Sequence, residues 1–331
     1  MSKSKRIAMI IVVFLTVVCI LAVVMLLLFR DTNKAKADTA QEGTEDDYSD
    51  DSLSYRTITC NGKTYTYKKN ISTLLFMGID QHEPVTENGY EGTGGRSDCL
   101  ILFILDGENK TTKMLEISRD SMVNVAVYDL EGAYALDMKM QITMQYAYGD
   151  GANKSCRLTK EAVSELLYGI PINTYLSMNI DGIRTVTDAV GGVTLTVPED
   201  YTYVDPAFEK GKTITLDGEM AEKYVRKRDI TVTGSNDLRM ERQMQYIKAL
   251  VAQLQNSSHG VSTYQSLLDQ ASPYLVTDMD ADDMLALSKY TLDEQEYKVP
   301  GKTVEGIAND EYHVDEEALK SMIVELFYDE N

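Results

Sequence analysis

Guanidinium is scarce in this sequence and unevenly placed. Of the 32 Lys and Arg residues, Lys3, Lys5, Arg6 and Arg30 precede all 52 acidic ones, so residues 31–331 carry 28 cations against 52 acids, a formal charge of −24. Yet of the nine arginines beyond Arg30, four (Arg226, Arg228, Arg239 and Arg242) fall within 17 residues, and none follows Arg242. Arg96 and Arg119 sit in a second short region that also holds Asp80, Asp98 and Asp120. Planar, forked donors match carboxylate or phosphate, and their concentration in an acidic chain suggests a compact site for a phosphate or pyrophosphate. Composition alone favours the alternative in which these arginines pair with the surplus carboxylates on a solvated surface.

Local geometry favours the anion site. An extended Tyr224-Val-Arg-Lys-Arg228 would put Tyr224, Arg226 and Arg228 on one face and Lys227 on the other. From Leu238 to Gln255 the residues Met240, Met244, Ile247, Val251 and Leu254 form one apolar helical stripe, with Asn236 or Asp237 as its N-cap. Arg239, Arg242 and Gln243, three and four residues apart, then project together beside that stripe. The free N–H groups and positive dipole of the helix start add to the same spot.

The elements that must carry these residues read as α/β. Leu74–Asp80, Cys99–Leu105 and Thr111–Ile117 are apolar runs suited to central strands covered on both faces. Asp80, Arg96, Asp98, Arg119 and Asp120 all fall at strand ends. If the first two runs are antiparallel neighbours, Asp80 and Asp98 share one sheet edge, whereas a further reversal would carry Arg119 elsewhere unless strand order or direction differs, which spacing leaves open. Thr57–Tyr67 alternates around Asn61-Gly62, a hairpin signal. Helices are expected over 141–149, 159–167, from Asp181 to Ala189, after Leu216, near 261–270, over 282–290 and 315–327; strands are expected at 172–180 and 193–197. Interleaved strands and helices predict a central mixed β-sheet flanked by helices in three αβα layers.

Residues 7–29 are 23 uncharged, almost wholly apolar positions, enough to span a hydrocarbon core of about 30 Å. A cleaved signal peptide ending near Ala35-Lys-Ala37 is the alternative, but its apolar stretch would exceed the usual length, so an uncleaved transmembrane anchor is expected. Flanking cations are balanced and barely decide its orientation. Residues 1–6 form its short N-terminal flank, 30–55 an acidic stalk without periodicity, and 56–331 one sizeable globular region. The acidity argues against a nucleic-acid partner. Cys19 lies in the span; Cys60, Cys99 and Cys156 form an odd set in which one bridge is open, Cys99 reading most simply as core. The three histidines, His82, His259 and His313, are scattered and carry no assigned role.

Eight blocks in order resemble the LytR-CpsA-Psr family of membrane-anchored cell-wall proteins: Leu74-Leu-Phe-Met-Gly-Ile-Asp80, Arg96-Ser-Asp98, Met114-Leu-Glu-Ile-Ser-Arg-Asp120, Tyr146-Ala-Tyr-Gly149, Asp188-Ala-Val-Gly-Gly-Val193, Leu216-Asp-Gly-Glu219, Tyr224-Val-Arg-Lys-Arg228 and Arg239-Met-Glu-Arg-Gln243. The likeness covers about residues 70–255. It implies a single-pass cell-membrane protein with residues 1–6 cytoplasmic and an extracytoplasmic α/β domain. It also implies transfer of a phosphorylated glycopolymer, of teichoic acid or capsular polysaccharide type, from a polyprenyl pyrophosphate carrier to a peptidoglycan acceptor. Carried over by position, Asp80 and Asp98 would hold Mg²⁺ (or Mn²⁺) and act in catalysis with Arg96 and Arg119. Arg226, Arg228, Arg239 and Gln243 would contact the pyrophosphate. The family's usual acid three residues before the helix arginine is here Asn236, and its usual Gly is Leu238; the adjacent Asp237 is the substitute candidate.

A magnesium-assisted phosphotransferase fits these residues because phosphoryl transfer is mainly positioning and charge neutralisation. A pyrophosphate hydrolase would use the same arginines. A regulatory protein that holds polyprenyl phosphates without turnover would not need the Asp80–Asp98 pair.

Overall fold

The computed structural model describes residues 56–86, 94–129, 131–227, 235–256, 260–306 and 309–331, all within the compact unit Tyr55–Asn331. The expected anchor at 7–29, the stalk at 30–55, Arg228 and His259 lie outside them. Among the described residues no helix is long and apolar enough to cross a membrane.

The chain opens with a hairpin, β1 (Thr57–Cys60) and β2 (Lys63–Tyr67). Its turn residues Asn61 and Gly62 have φ of 50° and 76°, the left-handed pair that matches strand twist. Then come β3 (Ile71–Ile79), β4 (Ser97–Asp106) and β5 (Thr111–Ile117), and a hairpin of β6 (Met122–Tyr128) and β7 (Tyr134–Gln141). Helices α1 (Met144–Ala147) and α2 (Asn153–Leu166), strand β8 (Thr174–Asn179) and helix α3 (Ile180–Ala189) follow. A ribbon of β9 (Val193–Thr196) and β10 (Thr213–Leu216) leads to α4 (Gly218–Arg226), α5 (Ser235–Asn256), α6 (Val261–Ala271), β11 (Leu275–Thr277) and α7 (Ala281–Leu287). The chain ends with β12 (Thr291–Lys298), a hairpin of β13 (Gly301–Glu305) and β14 (Asp310–Val314), α8 (Glu316–Phe327) and β15 (Tyr328–Glu330).

Six strands form the central sheet in the order β11-β8-β3-β4-β5-β12. β4 is antiparallel to both β3 and β5, while β3–β8 and β5–β12 are parallel, so the sheet is mixed. Its two faces separate by strand alternation. Leu75, Met77, Leu100, Leu102 and Leu115 pack with Val163 of α2 and Leu319 and Ile323 of α8. On the opposite face Leu74, Ile101, Phe103 and Met114 meet Tyr224 of α4 and Met244 and Ile247 of α5. Helices thus cover both faces, as the uninterrupted apolar runs require.

Several local expectations change. Residues 134–141 are strand, leaving only the four residues of α1 from the helix expected over 141–149. α2 begins at Asn153, six residues before the expected start. α3 starts at Ile180, one residue before the expected Asp181, and is capped by Asn179, whose side chain accepts from Gly182 N at 3.0 Å. Cys60, Cys99 and Cys156 are free and buried; burial pushes the Cys99 and Cys156 thiols up to about 12.

Candidate functional site

The register of the three central strands builds the site. Ile79 pairs with Ser97 and Leu100 with Ile117, so the end of β3, the start of β4 and the end of β5 meet at one sheet edge. This decides the placement of Arg119 that spacing left open, because two reversals return the chain to the edge it left. Arg119 Nη1 donates to Asp98 Oδ1, and Arg119 Nε lies 3.3 Å from Asp120 Oδ1. Beside them Asp80 Oδ1 accepts from Arg96 N at 2.7 Å, and its Oδ2 accepts from Arg96 Nη2 and Nε at 2.9 and 3.2 Å. These bonds hold the Arg96 guanidinium above its ordinary value, even against its partial burial.

Helix α5 brings its first turns to this edge. Arg239 Nη1 donates to Asp98 Oδ2 at 3.2 Å, so Asp98 lies between two guanidiniums. Arg239 Nη2 donates to Asn236 Oδ1 at 2.7 Å, and Asn236 Nδ2 donates to Asp120 Oδ2 at 2.9 Å. Asn236 can serve both only as an amide, with one acceptor and one donor end. Because α5 begins at Ser235, Asp237 is turned about 200° around the helix from Arg239. Its carboxylate meets Lys298 Nζ at 3.0 Å instead, which is the reason it stands apart from the expected pyrophosphate ligands.

Two further residues behave differently from their spacing. Tyr224 to Arg226 end helix α4, with only Lys227 extended, so Tyr224 is buried in the core while the Arg226 side chain is half exposed. The extended face expected for Tyr224 and Arg226 does not form. Arg242 is fully buried and points away from Asp98: Nε donates to Tyr224 O at 2.7 Å, Nη1 to Tyr203 OH at 3.0 Å and to Leu238 O at 3.3 Å, and Nη2 to Lys227 O. It joins the end of α4 to α5, as does Gln243, whose Nε2 donates to Val225 O at 3.1 Å.

Behind this polar edge lies a cavity of about 660 Å³ between the sheet and helices α3, α5, α6 and α7. Its walls include Leu74, Phe76, Phe103, Leu176, Leu250 and Leu268, whereas Asp80, Asp98, Arg226, Lys227, Arg239 and Gln243 also line it. Gly78 contributes to the wall: a Cβ there would come within 2.9 Å of Cys99 Cβ. Apolar space joined to a few charged groups suits a ligand with a greasy body and an anionic head.

Residues distant in sequence complete the rim. Arg226 Nη1 donates to Glu222 Oε1 at 3.0 Å and lies 3.0 Å from His82 Nε2; His82 Nδ1 lies 3.2 Å from Asp181 Oδ1. Glu222 is the helical i−4 neighbour of Arg226, a relation that the extended reading of residues 224–228 concealed. His82 and Asp181, 99 positions apart, gave no sequence signal. All four described site guanidiniums, Arg96, Arg119, Arg226 and Arg239, contact acids, as the solvated-surface alternative required. Two of those side chains are nearly buried, however: Arg119 at 10% and Arg239 at 7% exposure.

The sequence profile of the LytR_cpsA_psr family matches residues 25–327. The chain belongs to this family. Over 229 residues, 67% of the chain, it is 34% identical to the polyisoprenyl-teichoic acid–peptidoglycan teichoic acid transferase TagV of Bacillus subtilis strain 168, and the match spans about half (53%) of that relative's length. TagU of the same strain, a transferase of the same name, is 26% identical over 265 residues, 78% of each chain. Among solved LytR-CpsA-Psr relatives, B. subtilis TagV superposes with a TM-score of 0.57 at 28% identity, covering 78% of this chain and 96% of that one. TagT bound to LI-WTA gives 0.58 at 25% identity, covering 78% and 90%.

Proposed function

We propose that this LytR-CpsA-Psr protein is a phosphotransferase that moves a phosphorylated glycopolymer, of teichoic acid or capsular polysaccharide type, from a polyprenyl pyrophosphate carrier to peptidoglycan. The observation that carries the reading is the 660 Å³ apolar cavity with Arg226 and Arg239 at its charged rim. The prenyl chain occupies the cavity and its pyrophosphate meets the guanidiniums. Relatives named as polyisoprenyl-linked teichoic acid transferases support this substrate class.

In the reaction, an acceptor hydroxyl oxygen attacks the glycan-side phosphorus. A new P–O bond forms as the bond to the bridging oxygen breaks; polyprenyl phosphate leaves and the hydroxyl proton is released. Arg239 and Arg226 neutralise charge on the pyrophosphate, where fixed donors are worth more than water. Arg119 fixes Asp98 from the side opposite Arg239, and Arg96 fixes Asp80.

The donor set is compatible with Mg²⁺ or Mn²⁺. Asp80 and Asp98, two carboxylates at adjacent strand ends, suit an ion that completes its shell with phosphate oxygens and water. Asp80 and Asp98 would hold it, and when bound it supplies positive charge to the phosphate oxygens. Residues 7–29 then serve as the single-pass anchor that keeps the extracytoplasmic domain beside its lipid-borne substrate.

Incubating the full chain in detergent with a polyprenyl-pyrophosphate glycan, Mg²⁺ and a peptidoglycan oligomer tests the proposal. Glycan joined to the acceptor is expected. Release of free phosphorylated glycan without joining, or retention of intact carrier, would replace transfer by hydrolysis or by binding.

A further inference from the structure

The loop after β3 places an imidazole between a carboxylate and an arginine at the cavity rim. A guanidinium only donates hydrogen bonds, so the 3.0 Å contact from Arg226 Nη1 makes His82 Nε2 an acceptor. The ring proton then sits on Nδ1 and is donated to Asp181 Oδ1 at 3.2 Å. Asp181 is fixed in turn: its Oδ2 accepts from Glu83 N at 2.8 Å. Burial would raise the Asp181 carboxyl, but the Glu83 N–H and the imidazole outweigh it and hold the group below the ordinary range.

The other side of Arg226 is equally defined. Its Nη1 also donates to Glu222 Oε1 at 3.0 Å, and Glu222 Oε2 is held by Arg184 Nε and Nη2. The two N–H bonds of Nη1 are thereby used, one on the imidazole and one on the carboxylate. Nε and Nη2, the parallel pair that engages phosphate in bidentate fashion, make no bond among the described residues.

We infer that His82, oriented by Asp181, is a positioning residue that fixes Arg226 so that its Nε–Nη2 edge is presented to the carrier pyrophosphate. The inference rests on the proposed substrate class. The Arg226 side chain is 51% exposed and would otherwise lose rotamer freedom on binding, so preorganising it removes part of that cost. The acceptor atom at position 82 is what matters, and it acts only through Arg226.

A double-mutant cycle on the full chain in detergent separates this from a general structural role, with geranylgeranyl pyrophosphate as the probe. His82→Ala is expected to weaken binding roughly tenfold, in line with loss of a hydrogen bond to a charged group. In an Arg226→Ala background the same change should cost less than about twofold. His82→Gln, which places an oxygen near the Nε2 position, should restore most of the affinity, and the thermal midpoint should stay with the wild type. Additive costs, or wild-type affinity in His82→Ala, would overturn the inference while leaving the substrate reading intact. A wild-type chain that binds no prenyl pyrophosphate would overturn the substrate reading and the inference with it.

Discussion

Asp98→Asn tests the charge balance on which the site depends. Asp98 is 16% exposed and lies between Arg119 and Arg239, whose side chains are 10% and 7% exposed. The amide keeps the shape and removes the charge, while Arg119 keeps Asp120 at 3.3 Å and Arg239 keeps its bond to Asn236 at 2.7 Å. Removing one partner of a buried ion pair costs about 3–5 kcal/mol, and the remaining Asp120 places the expectation near the lower end, about 3 kcal/mol. At about 2–4 °C per kcal/mol for a domain approaching this size, the thermal midpoint of the full chain in detergent should fall by roughly 6–12 °C. The second half of the measurement adds inorganic pyrophosphate in the presence of a chelator. In the wild type the anion competes with Asp98 for the guanidiniums; in the variant it supplies the missing negative charge, so it should raise the variant's midpoint more than the wild type's. A variant midpoint within about 1 °C of wild type, or a smaller pyrophosphate shift than wild type shows, refutes the reasoning.

Arg242→Ala should destabilise by at least about 3 kcal/mol, since it strips the carbonyls of Tyr224, Leu238 and Lys227 of a buried donor, and Arg242→Lys should not rescue it because an ammonium lacks the fork. Thermal unfolding checks both. Leu176→Trp, which fills the cavity, should weaken geranylgeranyl pyrophosphate binding about tenfold or more while leaving inorganic pyrophosphate within about twofold; parallel calorimetric titrations decide, and equal losses would detach the cavity from the lipid. Burial pushes the Glu116 carboxyl above the ordinary glutamate range although Lys298 Nζ lies 3.4 Å from its Oε1. A raised folded-state value means a stability contribution that is full below the unfolded value and lost as pH rises through the raised one. The wild-type midpoint should therefore carry a decline over that interval that Glu116→Gln removes, and identical pH profiles for the two proteins would exclude this titration as its source.

What the sequence determined was local or periodic. Apolar runs of period two with no polar face require a sheet covered on both sides, and β3, β4 and β5 follow. The Met240–Met244–Ile247 stripe gave α5, and the scarcity of arginine in an acidic chain pointed to Arg96, Arg119, Arg226 and Arg239 before any contact was known. Strand register and helix rotation decided the rest. Two reversals returned Arg119 to the edge that carries Asp80 and Asp98, and a helix start at Ser235 sent Asp237 to Lys298. Both Arg239 and Arg242 are buried, and their partners separate them: Arg239 meets Asp98 at the cavity, whereas Arg242, three residues along the same helix, is bonded to carbonyls. His82 and Asp181 meet because β3 and β8 are parallel neighbours whose ends lie side by side. Such pairings are set by packing of the whole sheet, and no spacing along the chain encodes them.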